Sequence, residues 1–377
     1  MPSILCPFCF YEFPEGELLY HCLDCGADIK ASDLKRSEIA KKAIVCRTPA
    51  CHARNVYIKH CPYCNNELPE ALFDTHNLSF SLIGSSGSGK TNYITVLLNE
   101  QSKRSQKLRI HLNPITHETK ETFSSNRESI YTKKLPLSAT SPGSERPSIW
   151  IIGNGNRNLK YLLNIFDGAG ETHNDLLSET ARRDSRYIEH SKAVIFVIDP
   201  LRFTGLRELA NNIDPDKSSR SSAFATEEEN SAFIIGNTAN LLRRGLKIDT
   251  NKKIDMNIAI VISKIDLFLE ACFQGKTLFN ESPHARNGCF TQQDCDEVDR
   301  ELTDWLSDNG EDEFINALEQ NFYFRKSAFK RKKCYLFGIS AFGGAPLADG
   351  TLPEVHPHRV MDPLLWLLAQ QDFIDSR

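Results

Sequence analysis

The sequence predicts an α/β protein: a mostly parallel sheet covered by helices on both faces, preceded by a small cysteine-rich module. Three observations carry that expectation. Eight of the twelve cysteines crowd between Cys6 and Cys64. From Leu78 onward, short apolar runs alternate with helical patterns. A glycine-rich turn, Gly84 to Thr91, joins the first of those runs to the first helix.

Six segments read as buried strands: Leu78–Ile83, Ile149–Ile152, Tyr161–Phe166, Ala193–Ile198, Asn257–Ile262 and Cys334–Ile339. Each is a short apolar run, the mark of a strand covered on both faces. Helical patterns cover Thr91 to Lys103, roughly Asp175 to His190, Ser231 to Arg244, and Cys295 to Gln320. Strands that alternate with crossover helices imply parallel pairing. Polar or irregular inserts are expected near 105–146, 200–230 and 271–294, with Asn211 to Asn230 close to low complexity. The expected domains are a double ribbon over residues 1–70 and a sheet domain over 71–377. A brief helix, Asp33 to Lys42, should join the two halves of the ribbon.

Composition narrows the class. Hydrophobic residues make up 40 % and charged residues 25 % of 377, enough for a packed core and against global disorder. The net charge of −4 gives no general attraction to nucleic acid or anionic membrane. No stretch approaches the roughly 18 apolar residues that span a bilayer. The first residues lack a signal-peptide pattern and the last lack a cysteine to prenylate, so a cytoplasmic protein is expected.

Clustered cysteine pairs in a reducing compartment point to metal rather than disulfides. Cys6 and Cys9 are followed, twelve residues on, by Cys22 and Cys25. Cys46 and Cys51 are followed by Cys61 and Cys64. Two such pairs can present four thiolates to one tetrahedral ion, so two zinc ions are expected. Pairing within each consecutive quartet is the simplest arrangement, and an interleaved one stays open. His21, His52 and His60 are expected outside the ligand set, because eight thiols already suffice. A closed tetrathiolate has no open position and should be structural. Residues 1–70 hold eight Lys or Arg against nine Asp or Glu, which favours protein docking over phosphate binding.

The segment Gly84, Ser85, Ser86, Gly87, Ser88, Gly89, Lys90, Thr91 matches the phosphate-binding loop pattern between strand and helix. Its glycines let backbone N–H groups wrap phosphates at a helix N-terminus. Lys90 would reach the outer phosphates and Thr91 would ligate Mg²⁺. Three later elements bear on the base. Asp167 to Gly170 forms a D-x-x-G turn, Ser263 to Asp266 is a variant of N-K-x-D, and Ser340-Ala341 ends the last strand. All lie at strand C-terminal ends, where open α/β sheets bind ligands.

On these motifs, residues 78–377 resemble the translation-factor and Ras-like class of P-loop GTPases. The resemblance implies a Ras-like sheet and a guanine-nucleotide switch that hydrolyses GTP. It implies that Asp266 accepts the guanine N–H donors, Lys264 lies along the base, and the Ala341 N–H meets the guanine carbonyl. Asp167 would hold Mg²⁺ through water, and Gly170 would contact the γ-phosphate. Three departures stand out. Ser263 replaces the usual Asn, an expected loosening of that loop; Phe342 follows Ser-Ala; Glu171 stands where many members carry a water-orienting glutamine. Slow hydrolysis is therefore expected, with His173 as an alternative base. Thr140 is the first choice for the first-switch threonine, with Thr116, Thr119, Thr122 and Thr132 as alternatives.

Asp199 ends an apolar strand as the metal Asp of an ATPase would, but in the Ras-like order it merely closes the fourth strand. The run Lys330 to Lys333 reads as a solvated face, and Arg182, Arg183 and Arg186 as helix-surface residues. Ribbons ahead of a large-insert GTPase also resemble the bacterial double-GTPase proteins of multi-gene GTPase-associated systems, proposed to act against invaders such as phage. That resemblance implies a protein partner, for which a second GTPase of the same system is a candidate. The competing function is a GTP-dependent scaffold with little or no hydrolysis.

Overall fold

The computed structural model describes residues 3–41, 43–51, 53–55, 57–84, 87–138, 147–155, 159–167, 186–222, 231–284, 290–326 and 330–376. Of residues 76, 77, 166, 167, 222 and 231 it describes the backbone alone. The chain divides into two compact units, Met1–Asn77 and Leu78–Arg377.

In the first unit, β1 (Ser3–Leu5) pairs antiparallel with β2 (Glu12–Pro14). The strands β3 (Leu19–Cys22), β4 (Asp28–Lys30) and β5 (Tyr57–His60) form a second sheet with β3 in its centre. Pairing β3 to β5 sets Leu19 against His60 and Cys22 against Tyr57. This long-range pairing brings the last cysteine pair back to the first. The expected joining helix is a single turn and a half, α1 (Arg36–Ala40). The core is small: Phe13, Leu18, Tyr20, Ile29, Leu34, Ile44 and Leu68 pack around Cys6, Cys9 and Cys61. So few apolar side chains cannot hold sixty residues by themselves.

The second unit is a seven-stranded sheet in the order β12-β11-β10-β6-β9-β8-β7. Its strands are β6 (His76–Gly84), β7 (Ile110–Pro114), β8 (Ser148–Asn154), β9 (Leu159–Asp167), β10 (Ala193–Ile198), β11 (Asn257–Ile262) and β12 (Cys334–Gly338). The neighbours β6, β10, β11 and β12 run parallel, whereas β7, β8 and β9 pair antiparallel. Alternate residues of one strand feed two separate cores. Val194, Phe196 and Ile198 of β10 join one core; Ala193, Ile195 and Val197 join the other. That is why β10 and β11 read as unbroken apolar runs, whereas Ser79 and Ser81 interrupt β6 and Asn164 interrupts β9.

Helix α3 (Lys90–Leu108) and the C-terminal α10 (Asp362–Gln370) contribute to one core. To the other core, α5 (Thr204–Ile213), α7 (Ser231–Leu246), α8 (Gln292–Asp308) and α9 (Asp312–Asn321) contribute. The single helix expected over Cys295 to Gln320 is thus two, broken where Gly310 takes a left-handed φ of 84°. The polar segment near 105–146 contains more order than expected. It holds the end of α3, the edge strand β7 and α4 (His117–Tyr131). The part of 200–230 that is described forms α5 and α6 (Pro215–Ser222). Among the described residues, no helix is long and apolar enough to cross a membrane.

Candidate functional site

In the N-terminal unit the cysteines gather in two sets of four: Cys6, Cys9, Cys61 and Cys64, and Cys22, Cys25, Cys46 and Cys51. The first cysteine pair thus joins the last and the two middle pairs join each other, a nested arrangement that is neither the consecutive quartets nor the interleaved alternative. The physical reason is the β3–β5 pairing, which carries the Cys61 turn across to the Cys6 turn. Sulfur separations are 3.7 Å for Cys6–Cys64 and for Cys9–Cys61, 3.8 Å for Cys22–Cys51 and 3.5 Å for Cys25–Cys46. A disulfide would need about 2.05 Å. A tetrahedron with metal–sulfur bonds of about 2.3 Å has an edge of about 3.8 Å, so both sets fit a zinc ion. Backbone N–H groups of Phe8 and Tyr63 lie 3.4 Å from the Cys6 and Cys61 sulfurs, and the Asn66 amide 3.2 Å from Cys64. Such donors favour thiolate over thiol. His21 and His60 stack on each other with centroids 4.7 Å apart and are not among the ligands; His52 lies outside the described residues.

In the second unit, β6 ends at Gly84, where the chain passes close under β10. A Cβ there would stand 2.4 Å from the Val197 carbonyl oxygen, so only glycine fits. Gly89 then adopts φ 85°, a left-handed turn that starts α3 at Lys90. The loop thus leads straight into the N-terminus of α3, the placement that phosphate binding needs. The Lys90 ammonium donates to the Gly84 carbonyl at 2.8 Å, so it lies folded over the loop. Ser85 and Ser86 lie outside the described residues.

The loop after β11 meets this turn directly. The Ser263 hydroxyl lies 3.2 Å from the Ser88 carbonyl and 3.0 Å from the Ile198 carbonyl. The short serine thus links the two loops through its hydroxyl. Lys264 holds a left-handed φ of 52°, unusual outside glycine. It throws Asp266 into a short turn, Ile265–Leu267, facing the end of β12. There the Ser340 hydroxyl lies near enough to Asp266 to favour its charged carboxylate. Burial pushes the Asp266 carboxyl above the ordinary range, opposed by that hydroxyl and by Lys264.

The Ser340 turn is itself held in place. Residues 340 and 358 exchange backbone hydrogen bonds, and the His356 N–H donates to the Phe342 carbonyl at 2.9 Å. Phe342 packs on the core instead of projecting a charge. Ala341 follows in the same turn.

Asp199 has a role that sequence reasoning missed. Fully buried, it accepts the Leu201 N–H at 3.0 Å and the Lys264 ammonium at 2.6 Å. It is no metal-facing carboxylate in this arrangement, but the partner of the guanine-motif lysine. Its position after an apolar strand was the available signal, and nothing local links it to residue 264. The basic run also differs from a plain solvated face. Lys332 is mostly buried against Asp299, while Lys330 and Lys333 pair with Asp255.

A further anchor involves Asn92, beside Thr91. Its side chain accepts the Leu137 N–H at 2.9 Å and donates to the Leu137 carbonyl at 3.3 Å. The chain just ahead of Thr140 is thereby held at the first turn of α3. Thr140 itself, Gly170, Glu171, His173, Arg182 and Arg183 lie outside the described residues, as does the Asp167 side chain. Two alternative threonines are already engaged: Thr116 caps α4, and Thr119 accepts the Ile149 N–H at 3.1 Å.

No family model matches the chain. A 166-residue stretch is 26 % identical to the putative ESX-1 scaffolding and assembly protein SaeC of Mycolicibacterium smegmatis. The match spans 42 % of this chain and 42 % of that protein. Among solved structures, the chain overlaps the bacterial selenocysteine-specific elongation factor EF-Sec at a TM-score of 0.30 and 13 % identity, over 80 % of this chain and 30 % of that one. The GTP-bound GTPase-like domain of S. cerevisiae Ski7 gives 0.30 and 14 %, over 81 % and 53 %. The GDP-bound signal recognition particle receptor SRb of Chaetomium thermophilum gives 0.23 and 15 %, over 73 % and 95 %. At these scores the shared geometry is coarse.

Proposed function

We propose that residues 78–377 bind guanine nucleotide and hydrolyse GTP slowly as a switch, and that the N-terminal unit holds two zinc ions and docks a protein partner. The observation that carries the nucleotide reading is the Ser263–Ser88 contact, together with Ser340 on Asp266. The three motifs follow β6, β11 and β12, parallel strands whose C-terminal ends lie on one side of the sheet, with β10 between the first two. Gly84 to Gly89 would cradle the phosphates, and Lys90 would neutralise them. Asp266 would accept the two base donors that adenine lacks. Magnesium, held by Thr91 and Asp167, would offset charge on the phosphates. The Asn92 clamp on Leu137 supports Thr140 as the first-switch threonine.

The test is a titration of the full chain with GTP, GDP and ATP. GTP and GDP should bind at least about 10²-fold more tightly than ATP, because a mismatched base leaves a buried carboxylate unpaired. Lys90→Ala should weaken GTP by at least about 10²-fold through loss of a charge-assisted contact. Equal affinity for ATP and GTP would sink the reading.

Glu171 in the water-orienting position supports slow turnover. The isolated chain should hydrolyse GTP below about 10⁻² s⁻¹, with a partner protein supplying the rest. A rate near 1 s⁻¹ that Glu171→Gln leaves unchanged would remove the case for a partner-dependent switch. One observation favours the scaffold alternative, namely the partial likeness to a protein named for scaffolding and assembly. Under that reading GTP still binds, and turnover stays at background even with the partner present. A place in a bacterial GTPase-associated conflict system rests on the ribbon-plus-GTPase arrangement alone.

A further inference from the structure

The insert after β10 touches the guanine motif at one point. The Lys264 ammonium sits 2.6 Å from Asp199 Oδ2 and 2.8 Å from the Ser221 carbonyl, at the C-terminal end of α6. Both acceptors lie on the insert side of the loop. The carboxylate is wholly buried, and the ammonium is its cation. A buried carboxylate stripped of its cation is costly, so the pair is held closed. Ser221 O adds the negative end of a helix to the same ammonium.

We infer that Asp199 and the end of α6 position Lys264 for the base, which makes the 199–222 segment a wall of the guanine pocket. The inference rests on the guanine-nucleotide reading above and assigns it a specificity-determining residue. Tethered at its tip by two acceptors, the lysine cannot swing its charge into the space over Asp266. With the ammonium so held, the apolar four-carbon stem is what would be left to meet a purine ring. Asp199 is thus a positioning residue that acts through Lys264. Because coupling is reciprocal, base binding and the placement of α6 must influence each other equally.

The experiment uses the full chain and four probes: GTP, GDP, ATP and inorganic tripolyphosphate, which engages the phosphate loop without a base. Asp199→Asn keeps the shape and removes the charge. It should weaken GTP and GDP roughly 10- to 100-fold, the usual worth of one charged hydrogen bond. Tripolyphosphate should bind as before, which a general disturbance of the loops would not allow. Combined with Lys264→Met, the loss should not exceed that of Lys264→Met alone, since both changes break one contact. A second measurement needs no variant: hydrogen exchange over residues 215–222 should slow with GDP and not with tripolyphosphate. Unchanged GTP affinity, equal loss of GTP and tripolyphosphate, additive losses, or exchange indifferent to GDP would each overturn the inference. A wild-type chain that binds ATP as tightly as GTP would overturn the guanine reading itself, an outcome visible before any variant is made.

Discussion

Cys61→Ser should empty the metal site it shares with Cys6 and Cys9, and leave the other four thiolates loaded. The metal content of the purified chain should fall from two zinc ions to one. The effect is large because each structural zinc contributes apparent folding energy on the order of 10 kcal/mol in units of this size. Cys6, Cys9 and Cys61 sit inside the same small core as Phe13, Tyr20 and Leu34, so losing the ion opens that core as well. Protease should then cut between residues 1 and 20, far in sequence from the substitution. Cys22→Ser should empty the opposite site, where Cys46 and Cys51 are its partners. A fragment of residues 1–45 decides the matter from the other side. It holds Cys6, Cys9, Cys22 and Cys25, one full consecutive quartet, yet only half of each observed site. Tight binding of one zinc by that fragment would refute the nested arrangement.

Asp266→Asn should trade guanine for xanthine recognition and stabilise the nucleotide-free chain in the same stroke. The carboxylate would accept two donors from guanine, and each charged hydrogen bond is worth about 1.5–3 kcal/mol. GTP affinity should therefore drop roughly 10²- to 10⁴-fold, with xanthosine triphosphate gaining, because its ring offers a carbonyl where guanine has the amino group. The stability effect follows from burial. Desolvation raises the folded-state pKa of Asp266 above its unfolded value. A raised acid destabilises the fold at neutral pH, and the penalty disappears as pH falls through that folded pKa. Asparagine removes the charge, so the free variant should melt above wild type at pH 7. The gap should narrow on acidification. GTP affinity of the wild-type chain should also fall with acid, starting above the usual carboxylate range. A variant that melts below wild type at pH 7, or that keeps GTP affinity, would contradict this assignment.

Both effects depend on groups that are distant in sequence, which separates what was legible in the chain from what was not. The six expected strands were legible, β10 and β11 most plainly, because burial on both faces writes an unbroken apolar run there. The edge strand β7 was not. Its residues, Ile-His-Leu-Asn-Pro, bury only the first side chain and leave no such run. The glycine-rich turn before Lys90, the Ser263 to Asp266 turn and the cysteine pairs could be singled out from local spacing, since each is a short contiguous pattern. How those turns combine could not. The nesting of the two cysteine sets follows from pairing Leu19 with His60, a contact across about forty residues that no CxxC spacing encodes. Ser263 looked like a weakened asparagine, and only the approach of Ser88 shows its hydroxyl in use. Asp199 and Lys264 are sixty-five residues apart and meet because β10 and β11 are parallel neighbours. The sequence by itself singled out the candidate residues. The sheet order decided which of them share a site, because parallel strands place their C-terminal ends together however long the chain between them.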